Sequence, residues 1–396
     1  MKIIHVIDYF QPKLGYQETF LAKNHLELGH EVHVITSERY NPCLYAKSKC
    51  IPILGSRIQE SGFFNEDGLK IWRLKIIFEL HHLLWMQGLV RKIREISPDL
   101  IIVHGVTNLA AIQIALLKKR GTGFKLIYDD HATFVNSKSC LYPIFRYFFS
   151  AIIINKADAF VAILPATQQF MTKQYGIPKN KIQIIPLGAD KNRFCFSGSA
   201  RVSTRNELCL QESETVFIYT GKIQPEKNLK LLFDAMNILI KKRICNIKLL
   251  IVGDSPDLFI NEIKDYAVTL KIDGSIIWHK MVLNKDLKNY YSAADIGVWP
   301  YGASASMLEA MACNLPIIIS DCSEVTDLVA YDNGYLFKEN NANDLSSKME
   351  LLLNKNLRAE MGEKSRNYIE EQLNWSIISQ KFLNLVEGPS YDNNSF

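Results

Sequence analysis

Short apolar runs of strand length alternate with segments of helical spacing along most of the chain, and this alternation starts afresh near residue 215. The first series opens with strands predicted at Lys2–Asp8 and Glu31–Thr36, separated by a helix predicted at Tyr16–Leu28. The second opens with a strand at Val216–Thr220 and a helix at Leu229–Lys242. A β-loop-α-β opening is typical of a doubly wound sheet. The sequence therefore predicts an α/β protein with two Rossmann-like doubly wound parallel sheets.

The length agrees with two such sheets. A chain of 396 residues is too long for one ordinary core, and two domains of roughly 190 residues are the natural expectation. We place the first domain at 1–190 and the second at 191–374, followed by a C-terminal helix and tail at 375–396. Two doubly wound domains that face each other form a cleft in which a ligand touches both.

The charge is distributed unevenly between the predicted domains. Residues 1–190 hold 23 Lys and Arg against 15 Asp and Glu, whereas the rest of the chain holds 23 against 26. A basic first half favours an anionic partner there, such as a membrane surface, a lipid phosphate or an acidic glycan; the alternative is an ordinary solvated surface. The basic residues are not clustered with aromatic residues, so no nucleic acid is expected as a partner.

Other features of the composition indicate the compartment. The eight cysteines are scattered without a C-x-x-C pair, which predicts reduced thiols and no structural zinc. No apolar run reaches ~18 residues, so no transmembrane helix is expected. Because the chain enters a strand directly after Met1, without a signal-peptide pattern, we expect a cytoplasmic protein.

Four further segments carry structural expectations. Residues 40–70 have little periodicity and predict a long excursion, which could be a flap on the acceptor side. Trp72–Glu95 has helical apolar spacing. Leu141–Ile154 predicts one apolar helix, either packed on the sheet or lying in a membrane interface. Residues 197–214 predict an exposed entry to the second domain.

A loop of small residues precedes a predicted helix between Trp299 and Ser320. The strand Ile296–Trp299 runs into a Gly, Ser and Ala loop, and a helix follows at about Ser306–Cys313. Small residues let backbone N–H groups approach a ligand, and the helix N-terminus favours negative charge, so this geometry suits a phosphate. Glu309, one turn into the helix, could accept hydrogen bonds from a ribose diol. The alternative is a buried helix whose glutamate points to solvent.

A second polar group follows the strand predicted at Phe124–Tyr128. Asp129, Asp130 and His131 lie at its carboxyl end, where ligands bind in open α/β sheets. A histidine there can donate a hydrogen bond to a sugar or accept a proton; the alternative is a capping histidine. Either aspartate could orient the imidazole or act as an acceptor base, and His104 is a weaker candidate on the acceptor side.

Two motifs carry a resemblance to a known family. Residues 308–316, LEAMACNLP, resemble the E-A-M-A-x-G-x-P signature of the retaining, nucleotide-sugar-dependent glycosyltransferases of family four. Residues 221–227, GKIQPEK, resemble that family's G-R/K-x-x-x-x-K turn. Shorter similarities occur at 186–190 and 333–337. The resemblance covers most of the chain and is stronger in the second domain.

The resemblance implies a GT-B fold, transfer with retention of configuration, and a last helix that crosses back to the first domain near Asn374. It also implies that no metal is needed. Lys222 and Lys227 would stabilise the charge that develops on the leaving diphosphate, and no D-x-D metal motif occurs. His131 would lie near the transferred sugar, so the implied catalytic residues are His131, Lys222, Lys227 and Glu309.

The donor-binding residues that the resemblance implies include the first loop of the chain. The family has paired glycines there, of which this chain keeps only Gly15, and that glycine could equally serve the turn alone. The dinucleotide fingerprint G-x-G-x-x-G is absent, which disfavours NAD. The implied donor contacts are Gly15, Lys222, Lys227, Tyr301, Gly302, Ala303, Ser304, Ala305, Ser306 and Glu309.

The chain departs from the family at position 301. The family has a glutamate that contacts the donor sugar, whereas this chain has Tyr301, which carries no charge at neutral pH. One hypothesis is an active enzyme in which Ser304 or Ser306 compensates. Another is a degenerate binding or partner subunit, and a third is a sugar-nucleotide 2-epimerase of the same fold.

The sequence thus predicts a metal-independent glycosyltransferase that moves a sugar from a nucleotide-diphosphate donor to a glycan or lipid-linked acceptor. Surface polysaccharide or lipopolysaccharide assembly suits the basic first domain, as does peripheral contact with anionic lipid at the inner face of the plasma membrane. The residues do not distinguish UDP, GDP, ADP or another donor base, nor do they name the sugar or the acceptor.

Overall fold

A computed structural model describes residues 1–45, 54–80, 83–118, 123–134, 142–254, 257–321 and 324–387. The chain divides into two compact units. Unit 1 comprises Met1–Leu187 together with Trp375–Phe396, and unit 2 comprises Gly188–Asn374. The chain therefore leaves the first unit, completes the second, and returns.

The strands and helices are as follows. The strands are β1 (Lys2–Val6), β2 (Glu31–Ser37), β3 (Gly62–Glu66), β4 (Leu69–Leu74), β5 (Ile76–Leu80), β6 (Leu83–Met86), β7 (Leu100–His104), β8 (Lys125–Asp130), β9 (Ala159–Ala162), β10 (Ile182–Ile184), β11 (Thr215–Lys222), β12 (Ile247–Asp254), β13 (Ile276–His279), β14 (Ile296–Trp299), β15 (Ile317–Ser320) and β16 (Gly334–Phe337). The helices are α1 (Gln17–Glu27), α2 (Pro42–Tyr45), α3 (Leu89–Ile96), α4 (Leu109–Leu117), α5 (Tyr142–Phe148), α6 (Ser150–Lys156), α7 (Pro165–Phe170), α8 (Gly198–Glu207), α9 (Leu229–Lys241), α10 (Asp257–Thr269), α11 (Leu287–Ala293), α12 (Ala305–Ala312), α13 (Ala342–Leu351), α14 (Lys355–Gln372) and α15 (Trp375–Glu387).

The main sheet of unit 1 has the strand order β10-β9-β8-β7-β1-β2-β4-β3. Its strands run parallel except for β3, which pairs antiparallel with β4 at the edge. From β1 the chain moves outward to β2 and β4, and then returns to the other side of β1 to begin β7. The direction of winding therefore reverses between β1 and β7, which is where open α/β sheets bind ligands.

The sheet of unit 2 has the order β13-β12-β11-β14-β15-β16, with parallel pairing throughout. Counted from β11, this is the 3-2-1-4-5-6 order of a Rossmann sheet. Its winding reverses between β11 and β14. The prediction of two doubly wound parallel sheets is confirmed.

Apolar runs explain why the central strands lie where they do. Leu100–Val103 of β7 and Leu249–Ile251 of β12 are fully buried, as expected for parallel strands covered by helices on both faces. The helices begin with local signals as well. Asn108 caps α4 by accepting from the Ala111 amide at 2.7 Å, and Pro165 occupies the first turn of α7.

The last helix belongs to unit 1. Trp375, Ile378 and Phe382 of α15 are buried in one core with Ile3 and Phe20. The rings of Phe20 and Trp375 stack with centroids 5.5 Å apart. The C-terminal helix therefore packs beside α1 on the same face of the unit 1 sheet and helps to cover it.

The prediction of a helix at Trp72–Glu95 is wrong. This segment contains the end of β4, the antiparallel pair β5 and β6, and only then α3. In β4 the residues alternate between buried and half-buried, and such a period of two over a short run also satisfies helical spacing. The segment also contains a pair of adjacent histidines, His81 and His82, which lie outside the described residues.

Three other expectations need correction. The segment 40–70 is not a free excursion, because its end supplies β3 to the sheet; residues 46–53 lie outside the described part. The apolar segment 141–154 forms two helices, α5 and α6, rather than one. Residues 197–214 contain the helix α8, whose Arg205 is buried.

Candidate active site

In unit 2, one backbone carbonyl near the end of β11 accepts hydrogen bonds from the end of β14 and from the start of α12. The oxygen of Thr220 accepts hydrogen bonds from Nε1 of Trp299 and from Oγ of Ser306, each at 3.0 Å. Trp299 ends β14, and Ser306 lies in the first turn of α12. The loop 300–304 between them is thus held at the point where the winding of the sheet reverses.

The loop also receives Lys227, which lies in a 3₁₀ turn at Pro225–Lys227 after β11. The Lys227 Nζ donates to the Ala303 carbonyl at 3.4 Å. Gly302 has a φ of 72°, and a Cβ placed on it would lie 3.3 Å from that Nζ. A larger residue at 302 would therefore be strained and would crowd the ammonium group. Two motifs separated in sequence by about 75 residues meet here.

Lys222 ends β11 beside the end of β12. It pairs in register with Asp254 and is exposed. Among the described residues, no hydrogen bond or ion pair engages its ammonium group. The two strand ends approach closely because Gly253 has no side chain: a Cβ there would lie 2.0 Å from the Gly221 carbonyl oxygen. Lys222 is therefore a cation held at the strand end by rigid backbone.

Glu309 lies on α12 with its carboxylate buried. Its oxygens accept from Asn284 Nδ2 at 2.7 Å and from the Tyr291 hydroxyl at 3.2 Å. The Tyr291 oxygen lies 2.9 Å from Oγ1 of Thr220. Burial raises the pKa of Glu309 to about 7, although its two hydrogen-bond donors oppose the shift. The alternative in which this glutamate points to solvent is wrong.

The serines of the loop are engaged with one another. Ser304 Oγ and Ser306 Oγ are 2.6 Å apart. The Ser306 hydroxyl donates to Thr220, so Ser304 is the donor between the two serines. Ser306 therefore holds the loop, which leaves Ser304 as the better of the two candidates for compensating the departure at Tyr301. Tyr301 itself is half-buried in the loop, and Ala305 begins α12.

In unit 1, a row of three histidines crosses the reversal point between β1 and β7. His5 Nδ1 lies 3.0 Å from His104 Nε2, and His5 Nε2 lies 3.1 Å from His25 Nδ1. His25 Nε2 in turn lies 3.3 Å from the carbonyl oxygen of Ser379 on α15. His104 Nδ1 lies 3.0 Å from Oδ1 of Asp129 at the end of β8. The row therefore links the last helix to the predicted acceptor-side residues.

Asp129 is the centre of the polar group that the sequence predicts. Its Oδ2 also accepts from Gln17 Nε2 at 3.1 Å and lies 3.7 Å from His131 Nε2. Burial favours its protonated form, but His104 and His131 outweigh burial and lower the pKa of Asp129. In return, the carboxylate raises the pKa of His131 against the effect of desolvation. His131 is 44% exposed, so a ligand can reach its imidazole.

The two aspartates that the sequence left equivalent have different partners. The side chain of Asp130 accepts from the backbone amides of Ala132 at 2.8 Å and Val106 at 3.3 Å. Asp130 therefore orders the turn after β8, whereas Asp129 pairs with the histidines. Asp129 is the better candidate for orienting His131.

Gly15 lies in the first loop of unit 1. It follows a 3₁₀ turn at Pro12–Leu14 and has a φ of 68°, and its amide donates back to the Pro12 carbonyl at 3.4 Å. The turn thus uses the freedom of the glycine. Its contact with a donor stays a prediction.

In the part of the chain that the structure describes, no group of three or more His, Cys, Asp or Glu side chains is arranged to hold a metal ion. None of the helices there has the length and apolar character needed to cross a bilayer.

Several residues of these sites escape sequence reasoning. Asn284 and Tyr291 reach Glu309 from before and within α11, and nothing in their spacing indicates that contact. His5 and His25 lie on an apolar strand and an amphipathic helix, where a single histidine is usually a packing residue. The sequence feature that could have indicated His5 and His25 is a polar side chain at a position where β1 or α1 should face the core.

Two family models match the chain in succession. The one described as glycosyl transferases group 1 matches residues 201–368, and the one described as glycosyltransferase family 4 matches residues 19–193. The matches fall one in each unit. Between them they include Lys222, Lys227, Glu309 and the Asp129–His131 segment.

Curated relatives are similar over part of their length. The chain is 25% identical over 250 residues to the mannosylfructose-phosphate synthase of Agrobacterium fabrum, covering 60% of this chain and 54% of that protein. It is 25% identical over 311 residues to the D-inositol 3-phosphate glycosyltransferase of Gordonia bronchialis, covering 75% of this chain and 62% of the relative. The chain thus spans less than two thirds of the length of either relative.

Solved structures share the fold over the whole chain. HepE of Anabaena, crystallised with UDP and glucose, superposes with a TM-score of 0.71 at 16% identity, covering 97% of this chain and 98% of that one. At this level of identity the likeness shows the fold alone.

Proposed function

The chain belongs to the GT-B glycosyltransferases of family four, and on that premise we propose that it transfers a sugar, with retention of configuration, from a nucleotide-diphosphate donor to a glycan or lipid-linked acceptor. The observation that carries the proposal is the meeting of Lys227 with the Gly302 loop at the reversal point of unit 2. A cation, a glycine-containing loop and a helix N-terminus converge there, and each of the three favours binding of a diphosphate.

The lysines supply the electrostatic part of the chemistry. When the anomeric C–O bond breaks, negative charge grows on the departing diphosphate, and fixed cations stabilise that charge. Lys222 and Lys227 flank one turn after β11, so they can contact different phosphate oxygens. As ammonium groups they act as point charges rather than as bidentate partners. We therefore expect turnover without added metal.

Glu309 recognises the ribose in this proposal. Two ribose hydroxyls can donate to its carboxylate in place of the Asn284 amide and the Tyr291 hydroxyl that occupy it in the free protein. Hydroxyl donors favour the ionised form, whereas burial favours the neutral one.

His131 is the sugar-facing candidate of unit 1. Its exposed imidazole and the Asp129 carboxylate behind it suit a group that donates a hydrogen bond to a sugar hydroxyl. The charged carboxylate favours the doubly protonated ring, which is a stronger donor than a neutral ring.

The departure from the family at Tyr301 is the reason to consider two alternatives to this proposal. A degenerate binding or partner subunit would have no turnover of its own, and a 2-epimerase would isomerise the donor without an acceptor. The intact Lys222, Lys227 and Glu309 favour turnover. A Tyr301→Phe variant with unchanged turnover would show that the hydroxyl has no part in catalysis, and product analysis without acceptor detects an epimerase.

We place the enzyme in the cytoplasm, at the inner face of the plasma membrane, in the assembly of surface polysaccharide or lipopolysaccharide. The basic excess of residues 1–190 and three exposed apolar side chains on α5, Ile144, Tyr147 and Phe148, support contact with anionic lipid. The protein should sediment with anionic vesicles at low salt and be released by salt. If it stays in solution at low salt, the membrane contact is wrong.

The acceptor proposal has one competitor. Both curated relatives carry a sugar or inositol phosphate in their names, so a small phosphorylated acceptor is the second candidate. An acceptor screen that includes inositol phosphates, hexose phosphates and lipid-linked glycans separates the two.

The first test measures thermal stability with UDP, GDP, ADP, CMP and dTDP. A ligand at about a hundred times its dissociation constant adds roughly 2.7 kcal/mol, which shifts the unfolding midpoint measurably. We expect one diphosphate to stabilise the wild type and to lose that effect in Lys222→Ala. Stabilisation of both proteins alike would remove Lys222 from the site, and stabilisation by none of the nucleotides would bring the partner-subunit alternative forward.

A further inference from the structure

The histidine row of unit 1 ends on an acceptor at each side. At one end stands the carboxylate of Asp129, and at the other the carbonyl oxygen of Ser379. Between them lie the rings of His104, His5 and His25, each within 3.3 Å of the next polar atom. Neither end can donate a hydrogen bond while Asp129 is ionised, so every proton in the row must come from the rings.

The row needs more protons than three neutral histidine rings carry. The row has four gaps: Asp129 to His104, His104 to His5, His5 to His25, and His25 to Ser379. Each gap needs one proton to be a hydrogen bond. Three neutral imidazoles carry only three ring protons, because a neutral ring donates from one nitrogen and accepts at the other. A fully bonded row therefore holds a fourth proton and one positive charge.

The position of the extra proton follows from the surroundings. His5 and His25 are completely buried, and burial lowers the pKa of each, to about 3 for His25. His104 alone touches a carboxylate, with Nδ1 3.0 Å and 3.1 Å from the two oxygens of Asp129. The positive charge of the row is therefore most stable on His104, beside the Asp129 carboxylate.

We propose that His104 is an imidazolium, held in that state by the Ser379 carbonyl acting through His25 and His5, and that it keeps Asp129 charged as the partner of His131. The tautomers follow directly. His25 donates from Nε2 to Ser379, His5 donates from Nε2 to His25, and His104 donates from both nitrogens. His5, His25 and His104 are then positioning residues, and the last helix is part of the acceptor-side site.

Other charged groups face this row and agree with the assignment. The carboxyl groups of Glu18 and Asp130 are buried close to Asp129, and burial raises the pKa of each. Burial therefore disfavours a second negative charge beside Asp129, which is the carboxylate that lies between His104 and His131. His30 lies near His25, with ring centroids 6.5 Å apart, but Nδ1 of His30 contacts the amino terminus of Met1.

The assignment concerns the free protein, so its test needs no substrate. The full chain labelled with ¹⁵N in histidine gives ring nitrogen signals that distinguish one ring proton from two. We expect His104 to carry a proton on both ring nitrogens in the folded protein, as the four hydrogen bonds of the row require. His5 and His25 should be neutral with the proton on Nε2. A His104 ring with a single proton overturns the proposal, and means that one of the four gaps is not a hydrogen bond.

Two variants of one residue separate charge from packing. His25→Phe removes the connection to Ser379, so two gaps remain and two neutral rings fill them. His104 should then lose one proton, and His5 should change from the Nε2 to the Nδ1 tautomer. In His25→Gln the amide can donate to Ser379 and accept from His5, which should keep His104 doubly protonated. His30→Gln is the matched control, because His30 lies beside His25 but outside the row.

The link from this row to catalysis rests on the proposed function. If the chain is a glycosyltransferase, turnover near neutral pH should fall in His25→Phe and recover in His25→Gln. Loss of the His104 proton in His25→Phe with turnover unchanged would overturn the positioning role. A wild type with the expected nitrogen signals but no transferase activity would count against the proposed function and support the charge assignment.

Discussion

The two units reverse their winding at equivalent places and fill those places with opposite chemistry. In unit 2 the reversal point between β11 and β14 has an exposed cation, Lys222, and a loop opened by Gly302. In unit 1 the point between β1 and β7 is crossed by the hydrogen bond between His5 and His104. One is lined by backbone and ammonium groups that a ligand can reach. The other is largely filled by its own side chains.

The same topology thus serves two different purposes in the two units. The reversal point in unit 2 has the exposed Lys222, with Asp254 beside it in register, and a loop that contains Gly302, and it is suited to an anion brought from outside. The reversal point in unit 1 supplies its own counter-ions, and His131 at its edge is 44% exposed. The fold therefore determines where a site can form. The side chains at that place determine whether the site binds a ligand or positions a neighbouring residue such as His131.

The comparison predicts that unit 1 loses stability when its site is changed. Asp129→Ala removes the buried partner of His104, and breaking such a pair costs about 3–5 kcal/mol of the free energy of unfolding. Thermal unfolding checks this, with Glu95→Ala as the control because Glu95 is a half-exposed helix residue whose ion pair contributes little. Equal effects of the two substitutions would contradict the buried network.

Unit 2 should lose activity instead. Lys227→Ala removes a cation from the developing diphosphate charge, and removal of one such group costs about 10²–10³-fold in turnover. The unfolding midpoint should change less than in Asp129→Ala, since Lys227 is half-buried rather than fully buried and its Nζ donates a long hydrogen bond, 3.4 Å, to the Ala303 carbonyl. Steady-state kinetics measures this beside Lys242→Ala, an exposed lysine paired with Glu350 at the far end of α9. If Lys227→Ala lost as much stability as Asp129→Ala, the proposed difference between the two units would be wrong.

Glu309 is the exception inside unit 2, because it is buried like the network of unit 1. Its pKa is about 7 in the folded protein and 4.5 for the ordinary group. The stability that the protonated carboxyl contributes is therefore present below pH 4.5 and lost as the pH rises through about 7, a difference of about 3 kcal/mol. Glu309→Gln should lack this dependence.

Stability measured against pH for both proteins isolates the effect of Glu309. Asp8 also has a pKa raised by burial to about 7, but it is present in both proteins and cancels in their difference. A wild type and a variant with parallel curves between pH 5 and 8 would show that Glu309 ionises normally.

The smallest expected effect concerns the loop. Gly302→Ala forces a side chain into a φ of 72°, at about 1–2 kcal/mol, and places a methyl group against Lys227. Nucleotide affinity should fall several-fold. Gly274→Ala is the matched control, because no atom lies within 4 Å of a Cβ at that position and its φ is ordinary. Titration calorimetry with the stabilising nucleotide compares the two, and equal affinities would show that the loop does not approach the ligand.

The sequence predicts the fold better than it predicts the sites. Continuous apolar runs such as Leu100–Val103 identify buried parallel strands, and β11 and α9 begin within a residue of their expected positions. The segment 72–95 fails because β4 to β6 form short strands whose alternation resembles helical spacing, and their pairing depends on partners elsewhere in the chain.

The site residues divide in the same way. Lys222, Lys227 and Glu309 lie in local motifs, so the sequence indicates them directly, and the structure adds that Lys227 meets the Gly302 loop. The partners of Glu309, Asn284 and Tyr291, come from another element. Such contacts are set by packing over long sequence separations, which a local pattern does not contain.

The return of α15 to unit 1 has a consequence for how the protein is made. A ribosome releases Met1–Leu187 first, but the core around Ile3 and Phe20 stays open until Trp375 and Phe382 emerge. Unit 2 is continuous in sequence and can close earlier. The part synthesised first is therefore the part completed last, and a premature stop codon just before residue 375 would damage the N-terminal half while leaving the C-terminal half whole.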